Sequence, residues 1–210
     1  MTVDDSTLVK ELNLCNKKLK MFPFSPRLYI QRGMIHFKLA LLKESLRDFN
    51  KAEELNPQIT PYLWQRGLTY YYLGKYAKAY RQFELVHTVS RQNIEDSLWI
   101  YLSMAKLEGA EEARKYLPAI KRDSRAFMRQ IYQVYAGMTD VKTLLNHTND
   151  EDKKNLFFRY LYAGLYQFVH QDEVGANNHI SRALDCKIEN YMWYLARVHL
   201  HLHQRPNETK

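Results

Sequence analysis

The sequence predicts an all-α fold of stacked antiparallel helical hairpins, on three observations. Only 7 Gly and 6 Pro occur among 210 residues, too few to turn the chain every ~10 residues as a β-sandwich or barrel demands. Hydrophobic residues make up 46% of the chain, enough for a sizeable core. Shifting the sequence by 34 lays Gln31-Arg32-Gly33 on Gln65-Arg66-Gly67, Leu39 on Leu73, Ser45 on Ala79, Phe49 on Phe83 and Ala52 on Val86.

The elements follow in order along the chain, which is read as one domain, 1–210. One period before the first full copy, Pro23 takes the place of Pro57 and Cys15 that of Phe49, so residues 5–20 read as an unpaired second helix that caps the array. Segments 26–57 and 60–91 are two copies of one hairpin, each turning near Ala40 or Gly74. Gly33 and Gly67 lack a Cβ where the helices approach, Ser45 and Ala79 supply the matching small surface, and Tyr29, Phe49 and Phe83 fill the wider gaps. Ser25-Pro26 starts the first helix and Pro57 ends the second. Neither hairpin buries its apolar faces alone, so the copies must stack.

From 93 to 146 the rhythm loosens. Trp99, Leu102, Ala105 and Leu107 mark one helix, Ala113 and Leu117 the next, and two more are expected at 124–136 and about 140–146. His147 to Lys154 reads as a loop, and Leu156 to Phe168 restarts a strong helix. Within 155–189, Gly164, Ala176, Ile180 and Ala183 form a degenerate third copy, and 190–203 closes the array.

Composition narrows the function classes. Lys and Arg number 31 against 23 Asp and Glu, a net +8, which suits nucleic acid, anionic lipid or acidic protein without choosing among them. Cys15 and Cys186 match no metal or redox spacing and are expected to be buried thiols. The first twenty residues hold no apolar run of signal-peptide type, so a cytoplasmic or other intracellular location is expected, with the bacterial envelope only if an upstream signal is missing. No window approaches the ~18 apolar residues of a membrane span. The sequons at Asn146 and Asn207 are read as chance.

Gly in the first helix, a small residue in the second, then Phe and Ala, repeating every 34 residues, resembles the tetratricopeptide-repeat (TPR) family. From residue 96 onward, DSLWIYLSMAKLEGAEEARKYL, DSRAFMRQIYQVYAG, RYLYAGLYQFV and ENYMWYLARVHL are similar in order and type to the carboxyl-terminal half of bacterial TPR lipoproteins of the NlpI kind. The first resemblance implies a right-handed superhelix whose concave groove holds a segment of a partner protein, hence an adaptor or scaffold. The second implies envelope scaffolding and allows a homodimer. Leu-Asn-Leu-Cys at Cys15 lacks the features of a lipidation site, so a lipid anchor does not carry over.

In such a superhelix the first helices line the groove. The candidate groove residues are Arg27, Ile30, Gln31, Met34 and Lys38 from the first copy and Trp64, Gln65, Leu68, Tyr71 and Tyr72 from the second. The aromatic wall is either an open peptide site or is covered by the chain's own carboxyl-terminal helices. Ile30 and Met34 occupy places where the chaperone-tail subtype of the family needs polar or basic residues, which argues against that ligand.

Arg114, Lys115, Lys121, Arg122, Arg125 and Arg129 face a single acid, Asp123, in a strip that would suit phosphate. It underlies the alternative reading, a structural subunit of a larger assembly such as a ribonucleoprotein. The other reading of the strip is a solvated helix face. His199 and His203 share a helical face but have no third ligand nearby, so no metal is expected. No phosphate loop, His-Glu-x-x-His helix, nucleophile elbow or Cys-His pairing occurs, and the adjacent acids Glu111-Glu112 and Glu151-Asp152 point apart. A non-enzymatic protein without a cofactor is therefore expected.

Overall fold

A computed structural model describes residues 5–90, 93–120, 123–146, 152–188 and 190–203. Among these every regular element is helical, and the helices pack as neighbouring pairs, an all-α, TPR-like fold. The chain divides into two compact units, Met1–Val89 and Ser90–Lys210.

The amino-terminal unit contains α1 (Asp5–Met21), α2 (Pro26–Lys38), α3 (Leu42–Leu55), α4 (Trp64–Tyr72) and α5 (Tyr76–Val89). Ser25 has the extended backbone of an N-cap, yet its hydroxyl makes no capping bond. The start of α2 is set by Pro26, whose missing N–H and fixed φ suit the first turn. Ala40 and Gly74, one period apart, both end their first helix in the left-handed region, at φ 59° and 70°. Only the glycine does so without steric penalty. α3 stops at Leu55, and the Asn56 side chain accepts from the Gln58 amide at 3.2 Å. Pro57–Tyr62 then forms a 3-10 turn that periodicity did not foresee.

The paired helices meet at the expected glycines. A Cβ on Gly33 would stand 3.1 Å from the Phe49 ring, one on Gly67 2.7 Å from Phe83 and one on Gly164 2.5 Å from Ile180. The same 16-residue offset recurs in all three hairpins, so the degenerate copy keeps the register of the regular ones. Ser45 Oγ donates to the Gly33 carbonyl at 2.8 Å and lies 3.2 Å from Thr69 Oγ1, tying α2, α3 and α4 together.

The carboxyl-terminal unit contains α6 (Ile94–Glu108), α7 (Ala110–Ala113), α8 (Ala126–Tyr135), α9 (Val141–Asn146), α10 (Lys153–Val169), α11 (Glu173–Asp185) and α12 (Tyr191–His203). Asn93, Asp152 and Asp172 cap α6, α10 and α11 by accepting from Glu95, Lys154 and Gly175 amides at 2.9 to 3.1 Å. The helix expected around Ala113 and Leu117 is only the four-residue α7 followed by a 3-10 turn, Arg114–Tyr116. Leu117 precedes Pro118, which disfavours helical backbone, and it is extended at ψ 110°. The core of this unit is aromatic. Tyr101 and Tyr135 meet edge-on at 5.1 Å, and Tyr135 Oη donates to the Tyr162 carbonyl at 2.9 Å.

Candidate functional site

The period of 34 repeats in polar contacts as well as in the core. Arg32 donates to Asn16 at 3.0 Å and to both oxygens of Asp48 at 2.6 and 2.9 Å. One period on, Arg66 reaches Asn50 at 3.5 Å and Gln82 at 2.7 and 2.9 Å. Asp48 supplies the countercharge in the first set; Glu53 supplies it in the second, accepting from Arg66 at 2.6 and 2.8 Å. Burial would push the Asp48 carboxyl up, but hydrogen bonds from His36 and Arg32 outweigh it and hold the group below the ordinary range. These pairs place α1 in the position of a second helix, with Asn16 equivalent to Asn50 and Leu8 to Leu42.

That equivalence exposes an open place in the repeat. A cavity of about 290 Å³ lies between α1 and α2, lined by Glu11, Leu14, Cys15, Lys18, Gln31, Met34, Ile35 and Lys38. Advancing each by 34 gives Ser45, Asp48, Phe49, Ala52, Gln65, Leu68, Thr69 and Tyr72. All but Tyr72 are buried, because here α2 lies against α4: Gln65 Nε2 reaches Met34 Sδ at 3.6 Å and the Tyr72 ring meets Phe37 at 6.0 Å. Among the described residues no helix precedes α1 to cover α2 as α2 covers α4. Leu14 is accordingly 54% exposed at the cavity.

Three of the five expected first-copy groove residues, Gln31, Met34 and Lys38, line this cavity. Ile30 is partly buried and Arg27 exposed, and neither lines it. The second-copy wall is different. Leu68 is 0% and Tyr71 3% exposed, Gln65 is buried, and Trp64 and Tyr72 are partly covered. Leu68 and Tyr71 thus lie within the packing of the amino-terminal unit, at places the sequence offers either as an open peptide site or as a wall covered by the chain's own carboxyl-terminal helices. The reason is positional: Gln65, Leu68 and Tyr72 sit on the face by which one hairpin stacks on the previous one. The α1 side of the cavity was missed, although Cys15 at the place of Phe49 was its signal.

Cys15 carries no reactive chemistry. Its Sγ donates to the Leu28 carbonyl at 3.4 Å, and burial pushes the thiol above its usual range, keeping it protonated. Cys186 is partly exposed rather than buried, and both cysteines are free.

The described cations of the basic strip have carboxylate or carbonyl partners. Arg114 pairs with Glu111, Lys115 with Glu112 at 2.6 Å, and Arg125 with Glu95 at 2.7 Å and Asp123 at 2.8 Å. Arg129 donates to the Asp123 carbonyl. Lys121 and Arg122 lie outside the described residues, as do His147 and Glu151. The adjacent acids Glu111 and Glu112 are thus ion-pair partners. His199 is buried and its pKa is pushed down to about 3, so it stays neutral between Phe168 at 4.8 Å and His203 at 4.6 Å. Among the described residues no group of three His, Cys, Asp or Glu could hold a metal ion.

Fold and site together define a helical repeat protein in which the α1–α2 face is incompletely covered among the described residues. Comparison with known families agrees at one copy: residues 26–59 match the tetratricopeptide repeat. No curated protein matches the chain, so the likeness of its carboxyl-terminal half to NlpI-type lipoproteins gains no support. No helix among the described residues is long and apolar enough to cross a membrane.

Proposed function

We propose that this chain is a non-enzymatic protein-binding adaptor or scaffold, and that the α1–α2 cavity receives an amphipathic helix of a partner. The supporting observation is the comparison across one period: the residues equivalent to this lining are covered by α4 or by α2, and here no helix among the described residues takes the covering place. A partner helix laid there completes the hairpin with α1, a helix-in-groove mode read through apolar residues on successive turns. Leu14, Cys15, Met34 and Ile35 supply the apolar floor. Lys18 and Lys38 outnumber Glu11 at the edges, favouring an acidic flank on the partner. Cys15 is smaller than the Phe49 that packs on Gly33, so the partner needs no glycine at the point of closest approach.

The test is a display library of amphipathic helical peptides selected on the purified chain, with affinities then measured for Leu14→Asp combined with Met34→Asp. The double variant is expected to keep its far-UV CD spectrum and lose at least tenfold in affinity. Selected peptides that bind the folded double variant as tightly as the parent remove this cavity as the site. Lys38→Glu is expected to shift selection away from acidic flanks.

A further inference from the structure

We infer that the turn between α1 and α2 docks on an anionic phospholipid bilayer, with Met21, Phe22 and Phe24 entering the acyl boundary and Lys17, Lys20 and Arg27 meeting the phosphates. The three apolar side chains are 72%, 59% and 81% exposed, side by side at a tip. Met21 matches the apolar Leu55 of the repeat, but the two aromatic residues have no such counterpart. One period on, Asn56 and Gln58 stand where Phe22 and Phe24 do and Pro57 matches Pro23, although the chain there continues as the 3-10 turn Pro57–Tyr62. Phe22 and Phe24 are thus a departure from the repeat at two exposed places.

The charges depart from the repeat in the same place. In α3, Lys51 pairs with Glu54 at 2.6 Å. The equivalent residues in α1 are Lys17 and Lys20, two cations where the repeat has an ion pair. Like charges at this spacing oppose the helix slightly and are relieved by an external anion. Lys17, Lys20, Asn13 and Tyr29 border a hollow of about 690 Å³ whose lining holds no carboxylate. Its remaining cation, Arg32, is already held by Asp48.

The tip is pre-formed. Tyr29 Oη donates to the Pro23 carbonyl at 3.1 Å, the Phe22 amide to Lys18 at 2.9 Å and the Ser25 amide to Phe22 at 3.3 Å. Phe22 and Phe24 therefore protrude without further ordering cost. A protein partner would need an apolar pocket ringed by acids to fit a convex tip ringed by cations. An anionic bilayer presents that order of layers everywhere, phosphate outside and hydrocarbon beneath. The hollow shares no lining residue with the α1–α2 cavity, so the two readings stand or fall separately.

The experiment is co-sedimentation of the full chain with vesicles of phosphatidylcholine alone and of phosphatidylcholine containing about a third phosphatidylserine. Binding is expected to the anionic vesicles only and to weaken with salt. Neutralising Lys17 and Lys20 to Ala is expected to lower the partition coefficient about fivefold per residue. Phe22→Ser with Phe24→Ser is expected to lower it at least about tenfold with the CD spectrum unchanged. Phe24→Trp is expected to be quenched by brominated acyl chains more than the parent chain. No binding to anionic vesicles at low salt overturns the inference. So does parental affinity in the Phe double variant, which would leave a general electrostatic attraction. Inositol phosphates in solution that compete at the same concentration as vesicles would mean an anion site without a bilayer, and also overturn it.

Discussion

Replacing glycine by alanine at the three hairpin contacts is expected to give a graded series whose order follows from geometry. Alanine in a helix interior is favoured by about 1 kcal/mol over glycine, so each variant starts with a gain. At Gly33 the new Cβ would lie 3.1 Å from the Phe49 ring and 3.3 Å from Asp48 Cβ, contacts relieved by shifts of a few tenths of an ångström. Gly33→Ala should therefore be near neutral. At Gly67 the approach to Phe83 is 2.7 Å, and that ring is buried and has no room to swing away. Overpacking of this kind costs about 1–3 kcal/mol, and set against the gain of about 1 it leaves Gly67→Ala destabilised by roughly 0–2. At Gly164 the Cβ meets Ile180 Cγ1 at 2.5 Å and the Ala176 carbonyl oxygen at 2.9 Å. A backbone oxygen moves only if α10 and α11 separate, so the cost lies at the top of that range and the net loss should reach about 2 kcal/mol. Urea denaturation followed by far-UV CD measures all three. Gly164→Ala as stable as the parent, or Gly33→Ala as the worst of the series, refutes the reasoning. Phe83→Leu should relieve part of the Gly67→Ala loss, and purely additive effects would show that the two residues do not press on each other.

Two carboxyls should give opposite pH signatures. Asp48 is held below its ordinary pKa in the fold, so its contribution is present above the unfolded value of about 3.9 and is lost as pH falls through the folded value. Asp48→Asn should cost about 1–3 kcal/mol at pH 7, discounted because Arg32 is partly exposed, and the difference from the parent should vanish in strong acid. A pH-independent difference would rule out the charge as its source. Asp96 is the reverse case: burial raises its pKa to about 6, so the fold binds the extra proton and stability falls as pH rises from about 4 through 6. The shift corresponds to a penalty of at most about 3 kcal/mol at neutral pH, offset by about 0.5 from the favourable dipole at the start of α6. Asp96→Asn should thus gain about 1–2 kcal/mol at pH 7.5 and nothing near pH 4; a loss at pH 7.5 would mean that the buried charge is needed there.

The fold class was legible because the core positions are the repeating ones. Gly33, Gly67 and Gly164 each meet the bulky residue sixteen places on, and small residues at 45, 79 and 176 lie between them. The turn after α3 was not legible: Pro57 announces a helix end, but the 3-10 geometry to Tyr62 depends on how Asn56 and Thr60 satisfy the freed backbone groups. The ion pairs of the cation strip were not legible for a related reason. Glu111 and Glu112 stand outside the counted window, yet one helical turn brings them to Arg114 and Lys115. The groove was half legible. Periodicity finds which residues of a first helix are equivalent, but whether they face solvent or the preceding hairpin is decided by what lies one period earlier.

This last dependence separates stacking surface from binding surface in an array of this kind. A hairpin in the interior of an array has its first helix covered by the one before it, so buried residues such as Leu68 and Thr69 need no binding partner to explain them. At α2 the same positions, Met34 and Ile35, keep their apolar character although the described residues supply no covering helix. α1 answers only part of the mismatch. It retains Leu8, Asn16 and the other side chains that bind it to α2, but replaces Phe49 by Cys15 and Asp48 by Leu14 where the missing helix would lie. A solvent-adapted cap would carry polar residues at both. Leu14 is instead an exposed apolar residue at a place that holds a buried aspartate elsewhere in the repeat, and the proposed partner-helix site rests on this departure.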